Sequence, residues 1–148
     1  MKGCGSMEDR LLCAWMEMAL HIRGDRLVTG MSFNEMVVCS MLYRSMQSGQ
    51  PLMTATDLGK ATGLLKSQLN KVLNELEERG ILERQRDQED RRRVYLRLCE
   101  EQLSVYEAEH EKVMELVHQV CQTIGEEKAV LLSELLTEAV HAVKNTQK

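Results

Sequence analysis

Apolar residues along this chain keep helical spacing, three and four apart, except in one short stretch where they fall two apart. Leu12, Trp15, Met16, Ala19 and Ile22 share one face, which predicts a first helix from about Glu8 to Ile22. Gly24 and Gly30 then bracket a loop. Ser32 and Glu35 form a capping box, in which the hydroxyl accepts from the Glu35 amide and the carboxylate reaches back to the Ser32 amide. The helix it opens carries Met36, Val37, Met41, Leu42 and Met46 and stops near Ser48 and Gly49, before the only proline, Pro51. Thr54 and Asp57 repeat the box and open a short helix, Ala55 to Ala61, that ends by Gly63. Leu69, Val72, Leu73 and Leu76 fall at i, i+3, i+4 and i+7, so a helix from about Leu65 to Arg79 has one core face. Gly80 follows as the residue able to take the left-handed conformation that ends a helix. Two long amphipathic helices finish the chain, broken at Gly125. Val113, Leu116, Val117, Val120 and Ile124 mark the first, about Glu100 to Thr123. Leu131, Leu132, Leu135, Leu136, Ala139, Val140 and Val143 mark the second, about Glu126 to Lys144.

Between Ile81 and Leu98 the period changes to two. Leu82, Val94, Leu96 and Leu98 alternate with polar residues, which predicts two short strands joined by a charged tip. The tip holds Asp87, Glu89 and Asp90, then Arg91, Arg92 and Arg93. Taken alone it reads as a solvated turn. Directly after two helices that meet at a Gly63 turn, it reads as a wing that holds a cation against a nucleic-acid backbone or in a minor groove. The order helix, helix, short helix, helix, hairpin, helix, helix defines a winged helix-turn-helix. The expected fold is mostly α with a small β wing: a winged helix-turn-helix domain over 32–98, and long dimerisation helices in 8–31 and 99–148. Residues 1–7 are expected to be a disordered leader or a cloning remnant.

The helix from Leu65 is the expected recognition helix. Opposite its core face it displays Lys66, Ser67, Gln68, Asn70, Lys71 and Asn74, donors and acceptors for base edges and cations for phosphates. Glu75, Glu77 and Glu78 crowd its far end, so only the N-terminal half is expected to enter a groove.

Charge sharpens this picture. The net charge of −4 argues against nucleic acid, but its distribution does not. Residues 60–98 carry ten Lys and Arg against seven acids, whereas 99–148 carry four Lys against ten Glu. Such asymmetry orients a protein on a polyanion. The five cysteines, Cys4, Cys13, Cys39, Cys99 and Cys121, are odd in number and form no CxxC, which disfavours a disulfide framework or a zinc ribbon. No run of about 18 apolar residues is present, so no membrane span is expected. The N-terminus lacks the order of a signal peptide, which suggests a cytoplasmic protein. No nucleophile–base set, phosphate-cradling loop or metal motif appears, so neither catalysis nor a cofactor is expected.

The stretch from Leu58 to Leu82, ending in Leu76-Glu77-Glu78-Arg79-Gly80-Ile81-Leu82, resembles the helix-turn-helix of the MarR family of bacterial transcriptional regulators. Asp87-Gln88-Glu89-Asp90-Arg91-Arg92 resembles that family's wing signature, D-x-x-D-R-R, and Val94 to Leu98 its returning strand. The resemblance runs from the Ser32 capping box to about Leu103. It implies a homodimer built from the first and last two helices, placing two winged domains on double-stranded DNA at a palindromic operator. It also implies repression relieved by a small-molecule effector or an oxidant. Carried over residue by residue, Lys66, Ser67, Gln68, Asn70 and Lys71 contact DNA, with Thr56 at the start of the short helix. Arg86 and Arg91 join them from the wing, and Arg92 enters the minor groove with Asp90 fixing its guanidinium. Two positions depart from the family. Leu65 stands where a Ser or Thr usually caps the recognition helix and touches phosphate, and Cys99 stands where a Thr usually caps the next helix.

Two further features bear on signal sensing. Cys13 in the first helix resembles the location of the reactive cysteine in the family's hydroperoxide-sensing branch, set against a packed thiol. The branch's supporting tyrosines have no counterpart near Cys13 in sequence, since the tyrosines here are Tyr43, Tyr95 and Tyr106. His110, Met114, His118 and Cys121 can share a helical stripe, with His21 elsewhere, but zinc sites want tighter clusters. Met16, Met18, Met36, Met41 and Met46 are expected to pack the core. An effector pocket is expected between the dimer helices and the winged domain. A winged-helix protein-interaction module that no longer binds DNA is the reading from another class; the retained cations argue against it.

Overall fold

The computed structural model describes residues 5–22 and 30–146. The predicted loop after Gly24 lies outside them. The elements in chain order are α1 (Met7–His21), α2 (Phe33–Gln47), α3 (Ala55–Thr62), α4 (Lys66–Glu78), β1 (Leu82–Arg86), β2 (Val94–Leu98), a 3-10 turn (Glu100–Gln102), α5 (Leu103–Ile124) and α6 (Glu126–Thr146). The fold is mostly helical with one antiparallel hairpin. Contacts divide the chain into two compact units, Met1–His110 and Glu111–Lys148.

Both predicted capping boxes form. Glu35 N–H donates to the Ser32 hydroxyl at 3.2 Å and Ser32 N–H to the Glu35 carboxylate at 2.6 Å. Asp57 and Thr54 repeat the exchange at 3.2 and 2.9 Å, and the Thr54 amide, with its hydroxyl at 2.8 Å, holds the Asp57 carboxyl below its ordinary range. A third box opens α1. Ser6 is its N-cap and exchanges hydrogen bonds with Asp9, so this helix and its cap begin inside the segment expected to be a leader. The start of α5 also departs from expectation. Cys99 offers no capping bond, and the first turn tightens into the 3-10 geometry of Glu100–Gln102 before the α-helix begins at Leu103.

The core belongs to the first unit. Val38, Cys39 and Leu42 of α2 meet Leu58 of α3, Leu69, Val72, Leu73 and Leu76 of α4, and Ile81, Leu82, Leu96 and Leu98 around the hairpin, all fully or almost fully buried. Each such side chain contributes roughly 1.5–3 kcal/mol by leaving water. Burial pushes the Cys39 thiol up to about 12, with the Glu35 carboxylate adding to it, so this cysteine stays protonated and inert. Met36 is buried and Met41 and Met46 are half-buried, but Met16 and Met18 of α1 are exposed, contrary to the expected methionine core. The reason is that α1 and α6 bury no residue at all within the single chain.

α4 is fixed at its end. Ile81 N–H donates to Leu76 O and Gly80 N–H to Glu77 O, each at 2.9 Å, with Gly80 at φ +69. This is a Schellman stop, and its usual apolar contact is supplied by the buried pair Leu76 and Ile81. Arg79, the C-cap, reaches back across the fold. Its guanidinium donates to the Glu35 carboxylate at 3.1 Å and to Gly30 O at 2.7 Å. A Cβ at Gly30 would stand 3.0 Å from Glu109 Oε1, so the chain passes this point with no room for a side chain unless Glu109 shifts. Glu35 is 5% exposed, and without Arg79 its charge is left buried.

Arg79→Ala is therefore expected to destabilise the fold by about 1–3 kcal/mol in chemical unfolding. Adding Glu35→Gln to that variant, which removes the stranded charge and keeps the cap, should recover part of the loss. Equal stability of wild type and Arg79→Ala would show that the ion pair contributes nothing.

Candidate nucleic-acid interface

Thr54 and Gly63 set the helix-turn-helix. α3 starts at the Thr54 box and ends at Gly63, and α4 begins three residues later. The buried face of α4 carries Leu69, Val72, Leu73 and Leu76, which leaves Lys66, Ser67, Gln68, Asn70 and Lys71 exposed together on the outer side. Thr56, in the first turn of α3, is also exposed. Lys71 lies 3.9 Å from Glu75 on the helix surface, a weak pairing. At the N-cap, Leu65 makes no side-chain hydrogen bond, as a leucine must. Gln68 supplies the other half of the box: its Oε1 accepts from Leu65 N–H at 3.1 Å.

The hairpin pairs Leu82 with Leu98, Glu83 with Arg97, Arg84 with Leu96, Gln85 with Tyr95 and Arg86 with Val94. Its second strand is anchored on the other side by a bridge between Thr54 and Tyr95 and by Leu96 N–H donating to Met53 O at 2.8 Å. The wing is thus tied to the start of α3. At the tip, Asp87 Oδ1 accepts from the amides of Glu89 at 2.8 Å and Asp90 at 3.3 Å. Asp87 N–H donates to Arg93 O, and Arg93 N–H to Asp90 O, closing the turn.

Residues 30–93 match the sequence model of the MarR family. The winged domain is a MarR-family domain. Over 82 residues, 55% of this chain, the sequence is 37% identical to the HTH-type transcriptional regulator FarR of Neisseria gonorrhoeae. That match spans 56% of FarR, so little more than half of the relative's length is represented. The fold is similar to that of FabT of Streptococcus pneumoniae, solved in complex with DNA: TM-score 0.70, 20% identity, 93% of this chain and 95% of that one. It is equally similar to PcaV of Streptomyces coelicolor, solved in complex with its natural ligand: TM-score 0.70, 21% identity, 89% of this chain and 91% of that one.

In this MarR-family wing the carboxylates do different work from that expected. Asp90 does not hold the Arg92 guanidinium. Its Oδ1 accepts from the Arg92 backbone amide at 3.0 Å, and its Oδ2 lies 3.9 Å from Arg93 Nε. The two-residue offset suits a carboxylate to the backbone amide, as in an Asx-type turn. Arg93 is the structural arginine of the three, facing Tyr95, Asp90 and Asp87. Arg91 and Arg92 are exposed, and so is Arg86 on β1; among the described residues none of them has an ion pair. One residue not singled out in the sequence completes the site. Arg84 of β1 bonds the Glu77 carboxylate and Asn74 Oδ1 of α4. The signal was present: Arg84 sits two residues from Leu82, on the strand face that turns inward.

Cys13 is half-buried on α1. Tyr43 and Tyr106 stack on each other at 5.3 Å, and the Tyr106 hydroxyl lies 3.4 Å from His110 Nδ1. His118 pairs with Gln122 at 2.9 Å. Among the described residues no three His, Cys, Asp or Glu side chains gather as a metal site.

The wing tip has an acid signature. The amides of Glu89 and Asp90, with the Tyr95 hydroxyl, hold the Asp87 carboxyl below its ordinary range. A depressed value means that the turn's stabilisation is present above the ordinary aspartate range and is lost as pH falls through the lowered value. In an NMR acid titration, the Glu89 and Asp90 amide protons should shift together at a pH below that of a model aspartate. Asp87→Asn should abolish that step. A step at the ordinary aspartate value would mean that the turn is not formed in solution.

Proposed function

We propose that this chain is a sequence-specific regulator of transcription that binds double-stranded DNA as a homodimer at a palindromic operator, without catalytic activity. The observation that carries the reading is the joint exposure of the N-terminal half of α4 and the wing cations, held in one compact domain. Lys66, Ser67, Gln68, Asn70 and Lys71 meet the major groove, and Thr56 meets the backbone beside it. Arg86 and Arg91 meet phosphates, and Arg92 enters the minor groove. Asp90 shapes the tip through the Arg92 amide. The FabT complex with DNA supports the use of this fold on a duplex.

A dimer is proposed from unpartnered apolar surface. Leu12, Trp15 and Met16 of α1 are 56%, 54% and 57% exposed, and Leu131, Leu135 and Leu136 of α6 are 54%, 52% and 54%. Faces this apolar, repeated at helical spacing, call for a partner. A second copy is the economical one, because a palindrome needs two equivalent readers. Release by a small ligand is the accompanying proposal, supported by the PcaV complex with its natural ligand. Repression rather than activation follows the same family expectation.

The first test is selection of bound DNA from a random pool. A palindrome with two half-sites about one helical turn apart is expected. Affinity for the selected site should fall with salt at a log–log slope of about −5 or steeper, since each neutralised phosphate releases close to one counterion. Arg92→Ala should weaken binding and flatten that slope by about one. A flat salt response of the wild type would favour a protein-interaction module instead.

The second test concerns assembly. Light scattering at micromolar concentration should give twice the chain mass, with an interface above roughly 2,000 Å². A monomer under those conditions would overturn the dimer, and the palindrome with it.

A further inference from the structure

Arg84 lies beside the surface proposed to meet DNA, but its guanidinium is engaged within the domain. Leu82, Arg84 and Arg86 share one face of β1, because side chains alternate along a strand. Leu82 is buried, and Arg84 is the next position outward on that face. Its Nη1 donates to the Glu77 carboxylate and its Nη2 to Asn74 Oδ1 at 2.9 Å. Asn74 and Glu77 stand three apart on α4, so they are surface neighbours. The planar guanidinium fork can take both at once, which an ammonium cannot do. Ser67, Asn70, Asn74 and Glu77 fall at i, i+3, i+7 and i+10 along one stripe. The fork therefore grips the continuation of the stripe whose beginning is proposed to read bases.

We propose that Arg84 is a positioning residue for DNA recognition. It holds the wing to the recognition helix, so that the two elements meet neighbouring grooves at a fixed angle, and it makes no phosphate contact of its own. This inference rests on the DNA-binding function proposed above. It also gives Glu77 a role that its charge conceals. An acid near a polyanion ordinarily weakens binding, but Glu77 strengthens it by holding Arg84.

The alternative is that Arg84, whose side chain is 34% exposed, is one more phosphate-binding cation. The two readings differ in sign and in salt dependence. Operator binding is measured with the full-length protein on the DNA selected above, at a temperature where circular dichroism shows each variant folded. Arg84→Ala should weaken binding about tenfold with the salt slope unchanged. Arg84→Lys should do the same, because it keeps the charge but loses the fork. Glu77→Ala should also weaken binding, although it removes a negative charge. The swap Arg84→Glu with Glu77→Arg should recover most of the affinity. Tighter binding by Glu77→Ala, or a slope flattened by about one in Arg84→Ala, would overturn the proposal.

Hydrogen exchange separates this failure from a failure of the DNA reading. In Arg84→Ala without DNA, amides of residues 82–98 should exchange faster while those of 66–78 keep their rates. Unchanged exchange in the wing overturns the positioning role whether or not the protein binds DNA. A wild-type protein that selects no DNA, but whose wing loosens in Arg84→Ala, would instead remove the function and leave the bridge standing.

Discussion

The geometry of this domain depends on how α4 ends. A helix that stops in a Schellman motif reverses within two residues, and here the reversal delivers the chain directly into β1. Ile81 bonds back to Leu76 and is buried beside it, and Leu82 follows into the same core. The helix end and the strand start therefore share one packed corner. Only a left-handed residue fits at Gly80, and an L side chain there would strain the corner. Arg79 secures the same point from the other side through Glu35 and Gly30 O. Arg84 adds a third restraint one strand position beyond Leu82. Helix and wing are thus joined by backbone, by an ion pair to α2 and by a guanidinium fork, within a few residues of one another.

Much of this was legible in the sequence because the signals are local. Capping boxes need only a hydroxyl and a carboxylate three residues apart, and those at Ser32 and Thr54 form as read. The hairpin was legible because its period differs from everything around it, and the helix stop because glycine follows a run of helix formers. The family wing signature marked the segment but not the partners within it. Asp90 was assigned to the Arg92 guanidinium, whereas the two-residue offset brings its carboxylate to the backbone amide, and Arg93 is the arginine beside it. Apolar alternation does not single out Arg84, because its face of β1 is polar beyond Leu82. The late start of α5 depends on a cap that Cys99 fails to supply, and spacing alone does not show how a helix without a cap begins. Similarly, periodicity shows that α1 has an apolar face but not that none of its residues is buried.

The charged residues sort by partner rather than by sign. Arg79 and Arg84 are spent inside the domain, on Glu35 and on Glu77 with Asn74, while Arg93 pairs loosely with Asp90 at the exposed wing tip. Lys66, Arg86, Arg91 and Arg92 are left facing solvent without ion pairs among the described residues. A count of basic residues over this segment therefore overstates the cations available to a polyanion. The acids near α4 are better understood as anchors than as repulsive charge, since Glu77 and Glu35 each hold an arginine in place.

The half-formed box at Leu65 has a chemical consequence for the Gln68 side chain. Gln68 turns its carbonyl oxygen back to the Leu65 amide, as Glu35 and Asp57 do to their own N-cap amides. What remains pointing outward is the NH₂ end, a donor without its companion acceptor. The bidentate pairing of a glutamine with adenine needs both, one to accept from N6 and one to donate to N7. If Gln68 reads a base while held in its cap, its NH₂ suits acceptor edges: guanine N7 and O6, adenine N7 or thymine O4. A capping bond made by a side chain thus narrows what that same side chain can offer to anything else.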